Sequence, residues 1–173
     1  VRKLLAAVAV AVVLAASGAL AKSAFYEVPV LMYHLVDESV KESSVCVRPD
    51  SFERQMEFLK LHRYRVVPLE TLVEELKNDR EIPRKTVAIT FDDGTLDNFT
   101  NAFPVLRKMG FPATIFMITS NIGRPGWLSG EDLKILDDSG VSIGSHTVNH
   151  AFLPELNPEE IRRELTESKK QLE

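Results

Sequence analysis

Past residue 21 the chain alternates between two kinds of hydrophobic pattern. Short apolar runs at residues 28–35, 65–69, 86–92, 112–119 and 141–145 have the length and composition of strands. Between them, residues 50–62, 69–78, 96–109 and 129–139 read as helices, and a last helix begins near Pro158. Asp50 and Glu53 stand in capping-box positions, and Pro158 takes the favoured first position of its helix. Strands alternating with helices predict parallel β-strands joined by helical crossovers, an α/β fold. Residues 37–47 and 121–126 are the only stretches that read as loose.

The ends of two runs carry chemistry. The run 86–91 stops abruptly at Asp92, Asp93 and Gly94, and the run 141–145 leads into His146 and His150. In parallel α/β folds, sites gather at the strands' C-terminal ends, where both motifs fall. Histidines four apart on an extended strand would sit roughly 13 Å apart. They converge only if the chain turns between them, which Gly144 and residues 147–149 permit. Adjacent aspartates face opposite sides of a regular strand, but at its end, with Gly94 free in its dihedrals, both reach one cavity. One carboxylate and two imidazoles make a three-ligand set for a divalent cation of the catalytic zinc type, leaving the second carboxylate as a base. A plain Asp-Asp-Gly turn and two loop histidines are the competing reading.

Residues 90–94 and 146–150 resemble the first two motifs of the polysaccharide deacetylases, carbohydrate esterase family 4, which share a chitooligosaccharide-deacetylase homology domain. Residues 28–34, 111–116 and 127–129 are also similar to that family, so the resemblance runs from about residue 28 to residue 173. The opening Pro29 to His34 is most like the poly-N-acetylglucosamine deacetylases. This resemblance implies a distorted (β/α) barrel, C-terminally incomplete here, with Asp92 as general base and Asp93, His146 and His150 as metal ligands. By position, Tyr33 and His34 either line the site or serve packing and backbone bonding, Trp127 either stacks on a sugar ring or covers a helix end, and Asp97 and Asn98 are expected as supports behind the motif. The metal implied is Zn2+, with Co2+, Ni2+, Mn2+ or Fe2+ also compatible with the ligands.

The implied reaction hydrolyses the N-acetyl amide of an N-acetylglucosamine-containing polysaccharide; peptidoglycan, chitin fragments and acetylxylan stay open as substrates. The family's later arginine, aromatic residue and acid histidine have no counterpart among these residues, so a fragment or a naturally short product is expected. Two further readings stay open. One is a glycan-binding remnant without turnover, the other a metal-dependent amidase on a small non-sugar substrate.

Composition narrows the setting. Residues 1–21 pair Arg2 and Lys3 with an apolar run and end in Ala19-Leu20-Ala21, which reads as a signal peptide; residues 22–173 are then the deacetylase domain. The expectation is a secreted, periplasmic or cell-surface protein, held at a membrane only if the leader stays uncleaved. The exported part carries 19 basic against 25 acidic residues, which argues against a nucleic-acid partner. A hydrophobic content of 45% is enough for a real core. The single cysteine, Cys46, cannot form an intramolecular disulfide and reads as an inert thiol. His62 and Asp137-Asp138 read as solvated surface.

Overall fold

The computed structural model of the chain describes residues 28–39 and 43–173; the expected signal peptide lies outside the described residues. In chain order the elements are β1 (Val30–Tyr33), β2 (Leu35–Val36), β3 (Cys46–Val47), α1 (Pro49–Leu61), β4 (Arg65–Val66), α2 (Leu69–Lys77) and β5 (Thr86–Asp93). A π-helical turn, Asn98–Ala102, runs into α3 (Phe103–Met109), then come β6 (Ala113–Met117), α4 (Gly130–Asp138), β7 (Val141–Ser145) and α5 (Pro158–Leu172). The main sheet has the order β1-β5-β6-β7, with β4 added beside the start of β5, and every ladder is parallel. β2 and β3 form a separate parallel pair. No helix among the described residues is long and apolar enough to cross a membrane.

β5 explains why the sheet forms. Thr86 through Phe91 are buried without a break, the signature of a strand covered on both faces, and burial relaxes only at Asp92 and Asp93. Register then does the aligning. Asp93 lies opposite Met117 on β6, and Met117 lies opposite Ser145 on β7. Three parallel strands therefore end level, so that the carboxylates after Phe91 and the histidines after Ser145 emerge at one edge. Beneath it Tyr33 stacks on Phe91 and Phe52 meets both rings edge-on, with Met56, Ile89, Ile115, Leu128 and Leu136 fully buried around them.

Several expected boundaries move, each for a local reason. The run 28–35 breaks at His34, where the chain leaves the main sheet to pair with β3. That pairing puts order into residues 46–47, which had read as loose. The expected capping box of α1 is absent: Arg48 is the N-cap without a side-chain bond, and Asp50 instead accepts from the guanidinium groups of Arg48 and Arg54. The stretch 96–109 starts as a π turn before Pro104 rather than as a regular helix. Residues 121–126 are tied down by the Gly123 N–H to the Leu128 carbonyl and the Leu96 N–H to the Gly126 carbonyl. Capping boxes do form at Ser129 with Asp132 and at Asn157 with Glu160.

Candidate metal centre

The strand end at β5 is strained in a useful way. Asp93 has φ +73° and Gly94 φ +81°, both left-handed, so the chain doubles back and both carboxylates clear the ladder. A β-carbon at Gly94 would land on the Met117 sulfur, so the turn depends on glycine for space as well as for dihedral. The Leu128 N–H closes onto the Gly94 carbonyl at 3.1 Å, and an antiparallel bridge joins Thr95 to Trp127.

After β7 the chain turns just as tightly. Thr147 (φ +66°) and His150 (φ +56°) are both left-handed without being glycine. The turn folds the two imidazoles onto each other, their ring centroids 4.8 Å apart. Both reach the same oxygen: His146 Nε2 is 3.5 Å and His150 Nε2 3.6 Å from Asp93 Oδ1. Those separations are long for hydrogen bonds, and Asp93 Oδ1 is buried with no hydrogen-bond partner. They match what a tetrahedral cation bonded at about 2.0–2.2 Å imposes on its ligands, roughly 3.4 Å between neighbours. One ligand atom from each of Asp93, His146 and His150 lies within 4.8 Å of the others. The donor set and the bare oxygen thus fit a divalent cation with at least one position open.

The other expected site residues separate. His34 comes to the site, its Nε2 4.0 Å from Asp92 Oδ2, and both side chains are mostly shielded. Its backbone is clamped from behind: Asn98 Nδ2 donates to the His34 carbonyl (2.8 Å), and Asp97 Oδ2 accepts from the Val36 N–H (2.6 Å). Tyr33 does not join them, which corrects the expectation for it. It is 8% exposed, packs in the core, and donates to Gln55 Oε1 at 2.7 Å. Burial pushes its hydroxyl up to about 12. The open groove it helps line, about 880 Å³ between β1 and α1, is bordered by Val30, Met32 and Phe58 and holds none of the Asp93-His146-His150 cluster. Trp127 is half-buried against the core, and its bridge to Thr95 places it beside the Asp92-Asp93-Gly94 turn.

One residue of the site region escaped the sequence. Glu164 on α5 is 6% exposed, and it accepts from the Val148 and Asn149 N–H groups (2.8 and 3.0 Å) and from Asn149 Nδ2 (2.8 Å). Burial pushes its carboxyl up, but the side-chain and backbone bonds from Asn149 and that from Val148 outweigh burial, so it titrates below the ordinary glutamate range. The available signal was its phase. Ile161, Glu164, Ser168 and Leu172 share one face of α5, and an acid on the inward face of a helix is out of place.

A parallel α/β sheet carrying an Asp-His-His cluster at its C-terminal edge defines the class, and comparison with known proteins gives the family. The family profile for polysaccharide deacetylase matches residues 79–173. The chain is 38% identical over 144 residues to YxkH of Bacillus subtilis, named for the same family, covering 83% of this chain and 50% of that protein. It is 32% identical over 119 residues to a poly-β-1,6-N-acetyl-D-glucosamine N-deacetylase of Staphylococcus epidermidis, covering 65% of this chain and 41% of the relative. Among solved structures, the Streptococcus pyogenes deacetylase PplD in complex with acetate superposes with TM-score 0.78 and 31% identity, over 85% of this chain and 70% of that one. The chain belongs to the polysaccharide deacetylase family, and its sheet is the parallel sheet of those deacetylases. It spans half or less of the length of these two curated relatives.

Proposed function

We propose that this chain carries the cation-binding half of an exported polysaccharide N-deacetylase, acting on a polymer that contains N-acetylglucosamine. The observation that carries the reading is the buried, unpartnered Asp93 oxygen with an imidazole nitrogen on each side of it. Asp93, His146 and His150 would hold the cation, Zn2+ by preference for one carboxylate and two imidazoles. When bound, it supplies Lewis-acid polarisation of the acetyl carbonyl and a lowered pKa for water.

Asp92 is the base: it takes a proton from the attacking water as oxygen adds to the acetyl carbon. His34, next to the Asp92 carboxylate, orients it and lines the entry for substrate. Trp127 offers an apolar wall for a sugar ring beside the turn. Collapse of the adduct breaks the carbon–nitrogen bond and releases acetate, and the proton taken by Asp92 and the remaining hydroxyl proton of the adduct end on the departing nitrogen, leaving a protonated amine on the sugar and Asp92 ionised again. The family match, the poly-N-acetylglucosamine deacetylase among the relatives and the leader pattern of residues 1–21 support the polymer and export parts of this reading.

The test loads the chain with Zn2+ or Co2+ and follows acetate release from an N-acetylglucosamine oligomer. Stoichiometric cation with release that disappears in Asp92→Asn is the expected result. Cation without release in the wild type, but with release when these residues are part of a longer deacetylase chain, would mean that turnover needs groups outside them; no release in either would leave a glycan-binding protein. A folded chain that takes up no cation would end the reading.

A further inference from the structure

We propose that Glu164 is a positioning residue for the cation site: it holds the 146–150 turn in the one backbone shape that brings both imidazoles to Asp93. The inference rests on the cation-site reading above, and the test below separates the two.

The turn is not self-supporting. Thr147 and His150 both sit in the left-handed region, which costs side-chain-bearing residues free energy and persists only where surroundings over-determine it. The backbone partners of the turn show what does so. From the sheet side, the His146 N–H donates to the Met117 carbonyl, and the carbonyls of Thr147 and Val148 accept from the N–H groups of Thr119 and Ser120. Within the turn, Ser145 Oγ accepts from the Thr147 N–H and Thr147 Oγ1 accepts from the Ala151 N–H. The N–H groups of Val148 and Asn149, midway between the two histidines, both go to Glu164 Oε2. Two successive N–H groups converging on one anionic oxygen make a concave anion site in the backbone, here filled from within the chain. Glu164 Oε1 takes the Asn149 side chain as well, so the carboxylate grips the residue next to His150 at two points.

The chemistry argues for a purpose. Burial alone penalises this carboxylate, and what offsets the cost is chiefly its three hydrogen bonds to the 148–149 stretch, with the Arg163 charge adding to them. Packing alone would be served by leucine, since Leu172 on the same face reaches the core. The same helix is fastened a turn later, where Ser145 Oγ donates to Ser168 Oγ at 2.6 Å, so α5 holds both the end of β7 and the turn beyond it. Groups that orient ligands in this way typically govern metal affinity by about 10–100-fold.

The test uses the full 173-residue chain and four variants: Glu164→Ala, Glu164→Asp, Glu164→Gln and, as control on the exposed side of α5, Glu167→Ala. Co2+ affinity is measured by chelator competition, together with hydrogen exchange of the Val148 and Asn149 amides without metal. Glu164→Ala is expected to bind Co2+ about 10–100-fold more weakly and to lose protection at both amides. Glu164→Gln should recover most of the affinity, because its carbonyl accepts both backbone bonds and the Asn149 amide can turn to accept the third. A purely structural role would lower the melting temperature without that recovery of affinity. Should Glu164→Ala fail to fold, Glu164→Asp decides, since it keeps the charge but stops short of the turn. Wild-type Co2+ affinity in a folded Ala or Asp variant overturns the proposal. So does unchanged exchange at Val148 and Asn149. If the wild type itself binds no Co2+, the cation-site reading fails, and amide exchange alone decides whether Glu164 holds the turn.

Discussion

Asp93 combines two costs in one residue: a left-handed backbone and a buried carboxylate oxygen with nothing bonded to it. Such costs persist where function needs them, which gives a prediction with opposite signs in two measurements. Asp93→Asn should lower Zn2+ affinity by at least about 100-fold, since it removes a direct ligand. Without metal, the same variant should melt no lower than wild type, because burying an unpaired charged oxygen costs about 1–3 kcal/mol. A metal-free Asp93→Asn that melts well below wild type would mean that Asp93 is structural. Asp92→Asn is expected to differ, keeping the cation and losing acetate release. The Asp93-His146-His150 cluster was legible as a candidate site because its residue types and their places at two strand ends coincided. Tyr33 and His34 were harder to separate. Adjacent residues leave a strand in opposite directions, so one had to enter the core and the other the site. Pairing Tyr33 with Phe91, rather than counting polar groups, decides which.

Elements place these residues, and here glycine has a specific role. A β-carbon at Gly94 meets both a φ of +81° and the Met117 side chain. Gly94→Ala should therefore destabilise the fold by about 2–3 kcal/mol, read as a lower urea midpoint at constant slope, and weaken the cation site because Asp93 precedes it. A urea midpoint equal to wild type would show that Met117 gives way and that the turn does not depend on glycine. The π turn at Asn98–Ala102 is a second device. It brings Asp97, Asn98 and Asn101 to face the backbone of His34 and Val36, and Asn101 Nδ2 donates to the Val36 carbonyl at 2.7 Å. Asn101→Ala should cost about 1 kcal/mol in thermal stability and leave Zn2+ binding intact, since it touches β2 rather than the ligands. The sequence pointed to Asp97 and Asn98 as supports, yet the π turn was illegible. An extra residue per turn leaves no periodic trace in five positions.

At the scale of the molecule, alternation of strands and helices made the parallel α/β class readable. The strand order was not, because β1 skips β4 to pair with β5, a choice made by burial of the Tyr33-Phe52-Phe91 aromatic cluster rather than by neighbours in sequence. The same aromatic cluster and α5 bracket the pH range of the metal-free fold. Glu164 titrates below its ordinary 4.5 when folded, so its contribution is complete above pH 4.5 and is lost as pH falls through the lower folded value. Tyr33 runs the other way. Its hydroxyl is raised from 10.0 to about 12, so its contribution is complete below pH 10 and is lost as pH rises toward 12. Asp50 and Lys108 are also shifted, but both belong to exposed pairs that solvent screens. Stability of the metal-free chain should thus have two separable limbs. Glu164→Gln should flatten the acid limb and leave the alkaline one, while Tyr33→Phe should flatten the alkaline limb and leave the acid one. Melting temperatures of the wild type and both variants, taken from pH 3 to pH 11, decide it. A Glu164→Gln profile that falls as steeply in acid as wild type would assign that limb to other carboxylates. A Tyr33→Phe profile unchanged above pH 10 would mean that the hydroxyl ionises only after the core has opened.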